Sequence, residues 1–104
     1  MHLTILKDIL IAQGRAAEDI ALIERAYTFA EAAHRGQKRM SGDPYIIHPL
    51  ATARRLADMQ LDPPTIAAAL LHDVCEDTQH SLADIRLEFG EEIAFIVSGV
   101  TKLN

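Results

Sequence analysis

Residues 65–77 read TIAAALLHDVCED. An almost wholly apolar run, suited to the body of a buried helix, passes directly into a histidine and three acids. A polar cluster in that position is either a wetted helix end or part of a metal site. The stretch alone leaves both readings open, so the flanking sequence has to decide how this helix is packed and what meets its polar end.

Outward from that stretch the pattern is helical nearly throughout. LDPP (61–64) closes one helix and opens the next, with Asp62 or Pro63 suited to the start of the helix that carries TIAAALLHDV. The preceding helix takes Pro49 in its first turn, where no N–H is lost, and continues through ATARRLADM (51–59). GQKRMSGDPYII (36–47) reads as a loop: Ser41, Gly42, Asp43 and Pro44 are turn residues, and the residue before a proline is pushed out of helical geometry. Ahead of it, Ile20, Ile23, Tyr27, Ala30 and His34 lie along one side of a helix from about Ala17 to His34, stopped by Gly36. Leu3, Leu6, Ile9 and Leu10 predict a short first helix ending near Gly14.

Downstream, Ser81 and Asp84 form a capping box with a shortened acid at the start of SLADIRLEF (81–89). Gly90 ends that helix, and Glu91 and Glu92 suit the positive end of the next, EEIAFIVSGVTKLN. The β-branched runs YII and FIV are too short to defend as strands. The fold expected is all-α, an orthogonal helical bundle of about six helices. The last helix reaches Asn104 with an apolar face and no stop signal, so it reads as truncated and residues 1–104 as a single, partial domain.

At 104 residues and 11.5 kDa, with 49% hydrophobic and 24% charged residues, the chain suits one small domain with a modest core. No apolar run approaches the roughly 18 residues that a membrane span requires. MHLTILKDIL carries charge inside its apolar run, which argues against a signal peptide. A single cysteine, Cys75, excludes an internal disulfide and points to a reducing interior such as the cytoplasm. The formal charge of −5 argues against nucleic acid as a partner, since phosphate-backbone binding relies on clustered Lys and Arg. One segment departs from that average: HRGQKRM (34–40) holds Arg35, Lys38 and Arg39 and no acid, which suits either a solvated loop or a focused anionic ligand.

His72 and Asp73 are adjacent on a helix and point about 100° apart, so both can reach an ion beside the helix rim. Divalent ions held by imidazole and carboxylate need further ligands from another segment. His48 offers one. About twelve residues run down the third helix from His48 and about twelve return along the fourth, which brings positions 48 and 72 level in an antiparallel hairpin. The plainer reading makes His48 a cap and His72 a half-buried core histidine, and both remain open here. Glu76 and Asp77 crowd two more acids near Asp73, which repel unless a cation or shared protons compensate, and either could relay a proton from water. Cys75 reads as packing, and His2, His34 and His80 lack acidic partners at matched positions. No phosphate-binding glycine loop, dinucleotide fingerprint or serine-nucleophile motif is present.

Three phrases, HRGQKRMSGDPYIIHPL (34–50), LDPPTIAAALLHDVCEDT (61–78) and LADIRLEFGEEIAFIVSGVTKLN (82–104), closely resemble the hydrolase domain of the RelA/SpoT family, within the HD superfamily of metal-dependent phosphohydrolases. The likeness covers about residues 20–104. It implies manganese-dependent removal of the 3′-pyrophosphate from guanosine tetra- and pentaphosphate, giving GDP or GTP and pyrophosphate. It also implies His48, His72 and Asp73 as metal ligands, and Glu76 and Asp77 as the pair that activates water. Arg39 would lie against the guanine base, with Lys38 and Ser41 contacting the nucleotide from the same loop. Met40 departs from a commonly basic position, Asp43 from a common glutamate and Cys75 from a common valine. The family's fourth metal ligand, a downstream aspartate, would fall beyond Asn104, so an incomplete metal shell and weak or absent metal binding are expected of these residues unless a partner chain supplies an acid. Two other expectations stand beside this one: an HD phosphohydrolase acting on another nucleotide, or a catalytically incomplete domain used for binding or for self-association as a homo-oligomer.

Overall fold

The structure is a computed structural model that describes residues 2–103, with side chains for residues 2–100. Seven helical segments follow in order: α1 His2–Ala12, α2 Ala17–Ala33, α3 Ile47–Asp58, α4 Pro63–Leu71, α5 Val74–Asp77, α6 Leu82–Phe89 and α7 Glu91–Leu103. All but the single turn α5 are helices of eight residues or more, as expected for an all-α bundle of about six helices. The only β pairing among the described residues is an isolated antiparallel bridge between Lys38 and Pro44. No described helix is long and apolar enough to cross a membrane. The expected continuation of α7 through Asn104 lies outside the described residues.

The centre of the bundle is α4. Asp62, extended at φ −75° and ψ 160°, caps it by accepting the Thr65 N–H at 3.0 Å, and Pro63 supplies a pre-set φ at the first position. Every residue from Ile66 to Leu71 is buried, so α4 is packed on several sides, by α2, α3 and α7. The alanines at 67–69 allow this. They meet the small residues Ala26 and Ala30 of α2 and Ala94 of α7 in one core, where bulkier side chains would hold the helix axes apart. Ile66, Leu70 and Leu71 are fully inaccessible, each a contribution of about 1.5–3 kcal/mol from apolar burial.

α3 and α4 form the expected hairpin. Gln60 takes the left-handed conformation at φ 61° to turn the chain, and Gln13 fastens the end of α1 to this corner by donating to the Ala57 carbonyl at 2.7 Å. Pro49 sits in the first turn of α3, as its missing N–H predicts. At the other end of the hairpin, Gly36 at φ 88° leads out of α2 into the loop. That loop folds on itself: Arg39 N–H donates to the Asp43 carbonyl at 2.9 Å, and Tyr45 N–H to the Gln37 carbonyl at 3.0 Å.

The structure departs from the expected fourth helix, which the apolar pattern carried through Val74. Regular α-helix ends at Leu71, His72 and Asp73 form a turn, and α5 restarts at Val74. Asp77 N–H bonds the Asp73 carbonyl at 2.9 Å, so the restarted turn hangs from Asp73. His72 and Asp73 thus occupy the turn between the two helical segments.

A candidate metal centre at the hairpin mouth

His48 lies in the first turn of α3, and His72 and Asp73 directly follow α4. Each offers a ligand atom, and these three atoms lie within 4.8 Å of one another, the one such cluster of His, Cys, Asp and Glu among the described residues. His72 Nδ1 donates to the Ala69 carbonyl at 2.6 Å, which assigns the ring proton to Nδ1 and leaves a lone pair on Nε2. That nitrogen stands 3.2 Å from Asp73 Oδ1, and the other carboxylate oxygen, Oδ2, stands 3.9 Å from His48 Nε2. A lone pair set against a carboxylate oxygen is favourable only with a proton or a cation between them.

The donor set fits a divalent ion. Bonds of about 2.1 Å put ligand atoms of one ion roughly 3–4 Å apart, and His72 and His48 stand at such distances from Asp73, each from a different carboxylate oxygen. Asp73 is 8% exposed, and its ion-pair contacts among the described residues are to His48 and His72, with no Lys or Arg. A buried carboxylate without a fixed positive partner is costly, and a bound cation removes that cost. Two imidazoles with a carboxylate suit a divalent transition ion.

Beside the cluster stands Tyr45, which the sequence reading left as a loop residue. Its hydroxyl faces two carboxylates, Asp73 Oδ2 at 2.9 Å and Asp77 Oδ2 at 3.1 Å. Burial, then the hydrogen bond and charge of Asp73, then those of Asp77, hold the phenol well above its ordinary pKa of 10.0. The His34 ring stacks on Tyr45 with centroids 4.6 Å apart and planes 28° apart. Gln37 Nε2 donates to the Asp77 carbonyl at 2.7 Å. Tyr45 precedes His48 by three residues, the spacing that puts two side chains on one side of a helical turn, and this was the available sequence signal. Neither Gln37 nor His34 gave one.

The remaining expected residues divide. Lys38, Arg39 and Ser41 line, with Met40, Tyr45 and His48, an open cleft of about 520 Å³, so the basic loop meets the candidate cluster at His48. Ser41 Oγ is turned to Asp43 Oδ2 at 3.2 Å, and Met40 projects fully into solvent. Asp77 and Glu76 are both exposed and outside the three-residue cluster, and of the two it is Asp77 whose Oδ2 meets the Tyr45 hydroxyl, at 3.1 Å. Cys75 is half-buried, and burial raises its thiol pKa, assisted by the charges of Asp84 and Glu76, which keeps it a packing residue. One expectation is corrected. His80 has an acidic partner, Asp84 Oδ2 at 3.3 Å from its Nδ1, because the capping-box acid sits one helical turn beyond it.

A family model described as "HD domain" matches residues 26–104. A Streptomyces coelicolor protein named GTP pyrophosphokinase is 57% identical over 82 residues, which are 79% of this chain and 10% of that protein. An Aquifex aeolicus protein named guanosine-3′,5′-bis(diphosphate) 3′-pyrophosphohydrolase is 53% identical over 81 residues, 78% of this chain and 12% of that protein. A Vibrio cholerae protein of the same name is 49% identical over 100 residues, 95% of this chain and 14% of that protein. The chain therefore spans only a small part of the length of these relatives. It belongs to the HD domain family, among its RelA/SpoT-like members.

Proposed function

We propose that this domain removes the 3′-pyrophosphate from guanosine tetra- and pentaphosphate, using a divalent ion, with manganese the expected one. The observation that carries this reading is the shared wall. Tyr45 and His48 line the cleft with Lys38, Arg39 and Ser41, so a phosphorylated nucleotide seated there lies against one candidate ligand, His48. Lys38 and Arg39 give this cleft two positive charges in an overall acidic protein, which suits a compact polyphosphate ligand. The guanosine substrate comes from the relatives' names.

His48 Nε2, His72 Nε2 and an Asp73 oxygen are the atoms that would hold the ion. When bound, it supplies positive charge against the negative charge that develops on the phosphoryl oxygens. The chain's own side chains do the rest. Lys38 and Arg39 attract and orient the phosphates, and the flat Arg39 guanidinium can also stack on the base. Asp77 takes a proton from the attacking water, and exposed Glu76 passes it to solvent. The phosphorus–oxygen bond to the ribose 3′-oxygen breaks, that oxygen takes up a proton, and pyrophosphate leaves.

A different nucleotide is the reading favoured by Met40, which puts an apolar tip where a further positive charge would strengthen phosphate binding. Product analysis of guanosine tetraphosphate, GTP and ATP incubated with the protein and Mn²⁺ tests both. GDP and pyrophosphate from guanosine tetraphosphate alone is the expected result. Equal turnover of all three nucleotides, or release of single phosphates, contradicts the guanosine-specific reading.

A further inference from the structure

We infer that Tyr45 is a positioning residue of this centre, a strut that fixes the Asp73 carboxylate for the ion and holds Asp77 beside it. The inference rests on the metal-site reading above and adds to it a device for setting ligand geometry. The Tyr45 hydroxyl lies 2.9 Å from Asp73 Oδ2 and 3.1 Å from Asp77 Oδ2, so one group joins a candidate ligand to the acid proposed to accept the proton. Asp73 Oδ1 faces the His72 Nε2 lone pair at 3.2 Å, a contact that attracts only with a cation between them, so the Tyr45 hydroxyl at Oδ2 is the hydrogen bond that orients the carboxylate. An uncharged donor orients a carboxylate without neutralising it, whereas Lys or Arg at the same point would compete with a cation.

The strut is itself braced. The ring of Tyr45 is stacked on His34 at 4.6 Å, and the His48 ring meets it edge-on at 6.1 Å. His34 is 2% exposed, and its Nδ1 lies 3.1 Å from Gln37 Oε1. Because the Gln37 amide nitrogen already donates to the Asp77 carbonyl, its oxygen accepts, and His34 Nδ1 carries the proton. Tyr45 N–H closes the loop onto the Gln37 carbonyl at 3.0 Å. The end of α2, the basic loop and α5 are thus tied through one histidine, one amide and one phenol. The cost is visible at His34 Nε2, the only buried side-chain nitrogen or oxygen among the described residues with no partner.

The test is Tyr45→Phe, which keeps the ring and its stacking and removes only the hydroxyl. Mn²⁺ binding is followed by electron paramagnetic resonance, alongside the kcat and KM of guanosine tetraphosphate turnover and the melting temperature. The expected result is Mn²⁺ affinity lower by about 10-fold or more, kcat reduced, and KM and melting temperature nearly unchanged. Unchanged Mn²⁺ affinity in the variant, with the wild type binding, overturns the strut and leaves the metal reading intact. A defect confined to KM also overturns it, in favour of direct substrate contact, and loss of the fold overturns it in favour of packing. Absence of Mn²⁺ binding in the wild type removes the metal reading and the strut together.

Discussion

His72 and Asp73, neighbours in sequence, face each other with Nε2 3.2 Å from Oδ1, because His72 Nδ1 is committed to the Ala69 carbonyl at 2.6 Å. Both residues keep right-handed backbone angles, His72 at φ −63° and ψ −30° and Asp73 at φ −91° and ψ −6°, in the turn between the end of α4 at Leu71 and the restart at Val74. The break costs the regular helical pattern and yields an imidazole lone pair, a carboxylate and a second imidazole facing one point.

Replacing Arg39 by Ala should lower kcat/KM for guanosine tetraphosphate by about 10-fold or more through KM, since a desolvated guanidinium–base or guanidinium–phosphate contact contributes about 1.5–3 kcal/mol. Mn²⁺ affinity should stay unchanged, because Arg39 lines the cleft and lies outside the ligand cluster. Steady-state kinetics beside a metal titration separates the two effects. Equal losses in metal binding and KM would contradict the division of labour between the loop and the ligands.

Asp77→Asn removes the proposed proton acceptor while keeping its size. General-base losses run about 10²–10⁴-fold, so kcat should fall by at least about 100-fold with little change in KM. Glu76→Gln should cost less, because both acids are exposed but Asp77 is the one whose carboxylate meets the Tyr45 hydroxyl beside Asp73. A larger loss for Glu76→Gln would exchange the two roles.

The cap of α4 gives a prediction for stability that is independent of chemistry. Asp62→Ala should destabilise the fold by about 1 kcal/mol. The Thr65 hydrogen bonds hold the Asp62 carboxyl below its ordinary 3.8. A pKa lowered on folding contributes stability that is complete above the ordinary value and is lost as pH falls through the folded one. Thermal melts of the two proteins should therefore differ at pH 7 and converge below about pH 4. A gap that widens in acid would contradict this account of the cap.

Much of the fold was legible because its signals are local. Asp62 before Pro63, Pro49 in a first turn, and Ser81 with Asp84 each act within one helical turn, and each appears as read. The approach of His48 to His72 was legible by arithmetic, since two arms of similar length joined by LDPP bring their far ends level. The break after Leu71 was not, because TIAAALLHDV is as good a continuous helix as a broken one and the deciding contacts come from His48 and Tyr45. Tyr45 itself went unread as a site residue. Its phenol carries no charge, and its partners lie 28 and 32 residues away. His34 was set aside for lack of an acid, yet it serves through its ring face and Gln37.

The central claim is that His48, His72 and Asp73 form one divalent-metal site. Titrating Mn²⁺ into the wild type and into His48→Ala, His72→Ala and Asp73→Asn, with free Mn²⁺ read by electron paramagnetic resonance, tests it most directly. The account predicts weak binding at one site per wild-type chain, as a shell of three protein ligands allows, and loss of detectable binding in each variant. The same number of sites with the same affinity in all four proteins would contradict it.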